Sequence, residues 1–280
     1  MPVLVIRNEA GDRFEALAEC LKATAVETLP LMERVTGLPL PDPVVIRTMT
    51  VRNWTRAHRR SMQERLLAEA QQLHPSREEM HAAAVMRMAM LKAQRTFWPL
   101  TGGETVMLTP GQPEVLILPQ ALEHAGRLDD TPFLSKLLAH EQTRLAQYAA
   151  SEGEVRETQQ TFFPDLRGVT GRAYDFLMQG HAGWADRQIT ARLFSEPVPN
   201  EQVTARASAR YRDLFATPQH QKAAQQARQA GDSVARIITA EGLAHFNQVW
   251  KNPDLVPTIE ETTSDLAAWQ KRFARPGVTA

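Results

Sequence analysis

The string HEQTR, His140 to Arg144, sets an imidazole beside a carboxylate inside an apolar helical stretch, LLAHEQTRLAQ, residues 137–147. A His-Glu pair suits zinc hydrolysis when a second histidine follows four residues after the first. Positions i and i+4 point about 40° apart around a helix, so both rings reach one ion and the glutamate activates its bound water. Here the place of the second histidine holds Arg144. A guanidinium is always protonated and has no lone pair to give a cation. The chemistry open to this set is proton transfer beside a fixed positive charge. His140 or Glu141 would move the proton, and Arg144 would hold a carboxylate, enolate or phosphate. The other arrangement is internal: Arg144 pairs with Glu141, holding that carboxylate ionised and inert.

A second set lies in LMQGHAGWADRQIT, residues 177–190. Gln179 can orient a ligand by hydrogen bonds. His181, two residues on, points about 200° around the helix and away from it. Asp186, seven residues on, returns to nearly the same face and can approach a cation together with His140. Tyr148, one turn past Arg144, is placed to line a cleft or to pack. His58, His74, His81 and His124 are scattered without ligand spacing. No phosphate loop, nucleophile elbow or dinucleotide fingerprint is present.

These residues need elements to position them. Hydrophobic spacing predicts strands at 2–7, 44–50, and in ETVMLT and EVLILP, the last two joined by PGQP (110–113) as a hairpin or standing as two edge segments. It predicts a helix over 12–35 that Pro30 kinks or splits. Two further helices break at 74–76, with Ser76 as N-cap and Glu79 closing a capping box. The HEQTR helix starts at Thr131 as N-cap with Pro132 in first position. The Gln179 helix runs from near Thr170 to near Phe194, and its internal Gly180 and Gly183 point to close backbone approach. The methionines at 80, 86, 88 and 90 read as core and interface packing. Cys20 reads as a buried thiol, and Trp184 as core. A C-terminal segment is anchored by Phe246, Trp250, Leu255 and Trp269.

The chain also resembles a known family. QGHAGWAD, residues 179–186, is similar to the second zinc helix of gluzincin-type peptidases, with Gln179 where the third ligand, a glutamate, would stand. Residues 35–60, VTGLPLPDPVVIRTMTVRNWTRAHRR, and 242–269, GLAHFNQVWKNPDLVPTIEETTSDLAAW, resemble an actinobacterial zincin-like family. The resemblance implies an α+β, predominantly α-helical, zincin-like metallopeptidase fold with a few short strands. It implies one domain over 1–280: N-terminal helices and strands to 130, remnant active-site helices over 131–195, and a helical part over 196–280. It also implies that the second and third metal ligands are replaced, by Arg144 and Gln179, so that no metal and no other cofactor is expected.

Composition limits the rest. The 280 residues carry 32 Lys+Arg against 32 Asp+Glu, so no global field favours nucleic acid. The local run RAHRR, residues 56–60, reads as a solvated helix face. One cysteine rules out an internal disulfide and a cysteine-built metal site within the chain. No apolar run is long enough for a membrane span, and the N-terminus lacks a secretory pattern, so a cytoplasmic protein is expected. The expected partner is a small molecule, with neither nucleic acid nor membrane; the oligomeric state is left open. The expected function is metal-independent cyclisation, elimination or isomerisation of a small anionic or carbonyl-containing molecule, as in natural-product biosynthesis. The catalytic set would be Glu141, His140 and Arg144, with Gln179, Tyr148 and Asp186 binding substrate. The alternative is an inactive peptidase relative that binds a ligand or a partner.

Overall fold

The computed structural model describes residues 2–109, 111–199 and 202–274. Its elements run β1 (Leu4–Glu9), α1 (Glu15–Thr36), β2 (Val44–Met49), α2 (Val51–Leu73), α3 (Arg77–Phe97), β3 (Gly103–Thr109) and β4 (Gln112–Ile117). They continue with α4 (Pro119–Ala125), α5 (Thr131–Ala150), α6 (Glu154–Gln159), α7 (Tyr174–Phe194), α8 (Ala209–Phe215) and α9 (Pro218–Glu241). Short helices α10 (Leu243–Phe246), α11 (Ile259–Thr263) and α12 (Leu266–Lys271) follow. The chain is α+β and predominantly helical.

The strands form one sheet in the order β1-β2-β4-β3. β1, β2 and β4 are parallel, with Ile6 beside Ile46 and Ile46 beside Val115. β3 is the antiparallel edge, placing Thr105 opposite Val115. Of the two arrangements open to these runs, a hairpin or two edge segments, β3 and β4 form the hairpin, although Pro110 of its joining turn lies outside the described residues. Leu17, Leu21, Leu29, Val44, Ile46, Val115, Ile117 and Leu138 close a core between α1, α5 and the sheet. A second core gathers Met178, Ile189, Val234, Ile237, Phe246, Trp250, Trp269 and Phe273 around α7, α9 and the C-terminal helices. α5 lies between the two and is buried along most of its length.

Several local expectations shift. Pro30 does not split α1, which runs unbroken to Thr36 with Leu29 and Met32 buried on either side. Core packing there outweighs the roughly 3 kcal/mol that an internal proline costs. The N-cap of α5 is Asp130, whose Oδ1 accepts from Phe133 N at 3.0 Å, and Thr131 is already helical. α7 begins at Tyr174, because Arg172 is held in a bridge to Thr258 and Ala173 N donates to Pro257 O at 2.7 Å. Ser76 and Glu79 form the expected capping box. Cys20 is half-buried rather than buried. The methionines of α3 are the largest departure: Met86, Met88 and Met90 are 40%, 58% and 39% exposed. α3 buries only its Ala83–Leu91 stripe, so the α2–α3 hairpin stands partly away from the core.

Candidate functional site

α5 and α7 pack antiparallel, and their facing polar residues meet in pairs. Close packing of α7 on α9 is set by Gly180, where a Cβ would lie 2.7 Å from the Ala230 carbonyl oxygen. Gly183 has nothing within 4 Å of such a Cβ, so only the first glycine answers to close approach. Along the α5–α7 seam, Lys136 Nζ donates to Asp186 Oδ1 at 2.6 Å, and His140 Nδ1 donates to Asp186 Oδ2 at 2.9 Å. One turn further, Arg144 Nη1 donates to Gln179 Oε1 at 3.2 Å. Next, Gln147 Nε2 donates to Met178 O at 3.0 Å and to His181 Nδ1 at 3.1 Å. About three turns of α5, from Lys136 to Gln147, are thus matched against more than two turns of α7, from Asp186 back to Met178.

His140 meets Asp186 and Arg144 meets Gln179 across the seam, so the four residues are brought together as their spacing allows. The cation that Asp186 meets is Lys136, with Asp186 only 1% exposed; a buried pair of this kind holds because both charges are matched. Among the described residues Glu141 and Arg144 form no ion pair. Glu141 instead accepts from Thr105 Oγ1 at 2.8 Å, tying α5 to the edge strand. His181 is fully buried against Trp184, Phe246 and Trp250, and burial pushes its imidazole down to about 3. Tyr148 packs on the turn at Gly153, where a Cβ would lie 3.0 Å from its ring; burial, then Glu157, raises its hydroxyl.

The ligand set of a zinc hydrolase does not fit these residues. Arg144 offers a cation where a lone pair is needed, and its guanidinium is already bonded to the Gln179 amide. Among the described residues no three His, Cys, Asp or Glu side chains gather as metal ligands would. No step through a metal is therefore assigned.

The site that opens beside this seam was not singled out by residue spacing. A cavity of about 500 Å³ lies between the α2–α3 hairpin, the edge strand β3 and α6. Its apolar wall includes Met62, Met86, Met90, Phe97 and Met107, so Met86 and Met90 of α3 face the cavity, whereas Met88 lies outside its lining. Its charged and titratable groups are His58, Glu104, Arg65 and Arg156, and neutral polar side chains such as Gln94, Gln159 and Gln160 complete the lining. His58 Nε2 meets Glu104 Oε1 at 2.6 Å, and Trp54 Nε1 donates to the same oxygen. Burial would raise the Glu104 carboxyl, but the charge and hydrogen bond of His58, the Trp54 indole and Arg156 hold it below the usual range. Arg156 Nη2 donates to Thr105 O at 2.7 Å. Burial, then the charge of Arg144, lowers Arg156 to about 10 against the pull of Glu104 and Glu141. It stays cationic at neutral pH. Arg156 is thus electrostatically coupled to both the HEQTR helix and the cavity. Burial also lowers Arg65, which Glu69 opposes.

His140, Glu141, Arg144, Gln179, Tyr148 and Asp186 lie outside this lining. The sequence did carry a faint signal for the cavity. Trp54, His58, Ser61 and Arg65 recur at helical spacing on α2, and Glu104 is a charge within a strand.

No family model and no curated protein matches the chain. Among solved structures it is similar to the crystal structure of a "putative hydrolase with a novel fold" from Chloroflexus aurantiacus. That likeness has a TM-score of 0.57 at 19% identity and covers 92% of this chain and 90% of the other. At this identity the likeness shows a shared fold. Among the described residues no helix is long and apolar enough to cross a membrane.

Proposed function

We propose that the chain is a relative of the zincin-like peptidases in which the metal site has become a structural seam. Its chemistry is then metal-independent proton transfer in the cavity beside that seam. The facing of α5 and α7, with Arg144 on Gln179 and His140 on Asp186, supports the family reading, because those positions replace or border metal ligands in it. The observation that carries the function is the convergence of the His58–Glu104 pair with Arg65 and Arg156 in one methionine-lined cavity.

Each group has a role fitted to its surroundings. Glu104 fixes the His58 ring through Nε2, leaving Nδ1 to take or give a proton. Arg156 and Arg65 are partly desolvated cations, so they attract a carboxylate or a developing enolate more strongly than exposed arginines would. The methionine and phenylalanine walls suit an apolar body and adapt to its shape. The substrate class is a small molecule with an apolar body and a carboxylate or activated carbonyl. The reaction class is isomerisation, elimination or cyclisation. Glu141 and Arg144 act at one remove: Glu141 braces β3 through Thr105, and Arg144 keeps Arg156 short of compensating charge.

Binding and chemistry are separable by variants. Anilinonaphthalene sulfonate, an apolar anion, should brighten on the parent and be displaced by apolar keto acids such as phenylpyruvate. Arg156→Gln should weaken that binding about ten-fold or more, and His58→Gln should leave it nearly unchanged. Deuterium exchange at the carbon next to the keto group, followed by NMR, should be fast with the parent and lost with His58→Gln. Undiminished exchange in His58→Gln would overturn the role of His58. Binding indifferent to Arg156→Gln would overturn the cavity as the site.

A further inference from the structure

The arginines of the RAHRR run, Arg56, Arg59 and Arg60, line a second concavity, on the opposite face of α2 from the cavity that His58 lines. A groove of about 700 Å³ between α2 and α3 is lined by Arg52, Arg56, Arg59 and Arg60 from one helix and Arg87 and Arg95 from the other. Glu64 is the one acid in that lining, and it is committed to Arg60 at 2.7 Å. Among the described residues Arg52, Arg56, Arg59, Arg87 and Arg95 have no acidic partner. Arg87 Nε is buried with no hydrogen-bond partner there. In a chain whose formal charge sums to zero, this excess is local.

Six guanidiniums crowded along one groove repel each other at every physiological pH, because arginine does not deprotonate. A bound polyanion relieves that repulsion and supplies the missing acceptors. The spacing suits a chain of phosphates. Arg52, Arg56 and Arg59–Arg60 follow one helix face over about 12 Å, and Arg87 and Arg95 span a similar length on the antiparallel helix. Planar guanidiniums bind phosphate oxygens bidentately. The remaining lining is Thr55 and Gln63, with no aromatic platform on which bases could stack, as single-strand binders use. We propose that the α2–α3 groove binds a short oligophosphate, either inorganic or carried by a nucleotide.

Calorimetric titration of the full chain with inorganic tripolyphosphate and with ATP tests this. Both should bind one per chain and compete. Affinity should fall about ten-fold or more as salt rises from about 50 to about 200 mM, as for other phosphate contacts. The Arg56→Gln/Arg59→Gln variant should lose about ten-fold or more for both ligands at a melting temperature no lower than the parent's. Arg13→Gln, which removes an exposed arginine paired with Glu123 elsewhere, should bind like the parent. If ATP alone binds, the nucleoside is recognised and the oligophosphate reading falls. It falls equally if sulfate displaces tripolyphosphate at equal concentration, or if the double variant binds normally. Tight binding of a short duplex DNA or of phosphatidylglycerol vesicles, without tripolyphosphate binding, would assign the groove to a macromolecule instead. Anilinonaphthalene sulfonate binding in the variant should match the parent, which keeps this test independent of the cavity.

Discussion

Converting Arg144→His together with Gln179→Glu should create a zinc site, and the expected size follows from the contacts. His140 already donates Nδ1–H to Asp186 at 2.9 Å, which leaves Nε2 free and oriented for a metal. The new histidine stands at i+4 on the same helix, and the new glutamate takes the place that now meets Arg144 at 3.2 Å. Without metal the double variant loses a charged hydrogen bond worth about 1.5–3 kcal/mol. Part of that is returned, since Arg144 no longer repels Arg156. At zinc about 100 times the dissociation constant, the folded state gains about 2.7 kcal/mol. At roughly 2 °C per kcal/mol for a chain of this size, the melting temperature rises by about 5 °C on adding zinc. Each single variant keeps an incomplete ligand set and should respond much less. Differential scanning fluorimetry with zinc, with chelator and with neither reads the effect, and elemental analysis counts the metal. A double variant that melts cooperatively yet ignores zinc would refute the facing of these two helices and the family reading built on it.

Three further outcomes are expected. Gly180→Ala forces a Cβ to 2.7 Å from the Ala230 carbonyl and should destabilise by about 1–3 kcal/mol, whereas Gly183→Ala meets open space and should gain up to about 1 kcal/mol; urea titration separates them. Asp186→Asn strands the Lys136 ammonium in a buried seam and should cost about 3–5 kcal/mol, while a paired Lys136→Met/Asp186→Asn change should cost less. His181 titrates near 3 when folded and near 6.5 when unfolded, so the unfolded chain takes up the proton first as pH falls. Its contribution is complete above about pH 7 and lost from about 6.5 down toward 3. Between pH 7 and pH 5 the parent should lose about 2 kcal/mol more stability than His181→Gln, by urea titration at each pH; equal losses would contradict the buried neutral imidazole.

Much of this protein is determined by its sequence alone. Period-two and period-3.6 hydrophobic patterns place the four strands and the long helices, because each element must bury one face whatever its neighbours are. The Ser76–Glu79 cap is legible because both partners lie within one turn. The seven-residue return from Gln179 to Asp186, set against the four-residue step from His140 to Arg144, is legible for the same reason. What tertiary structure decided is every partner that comes from another element. Arg144 chose Gln179 over Glu141 because antiparallel packing of α7 put the amide in reach, while Thr105 on β3 took the carboxylate. Lys136, an ordinary helix residue in the sequence, became the counter-charge of Asp186 only through that same packing. Likewise, Met86 and Met90 of α3 face a cavity because the α2–α3 hairpin stands off from β3. The α3 pattern alone cannot distinguish a face pressed on a core from one that walls a cavity, since both require the same apolar residues at the same spacing.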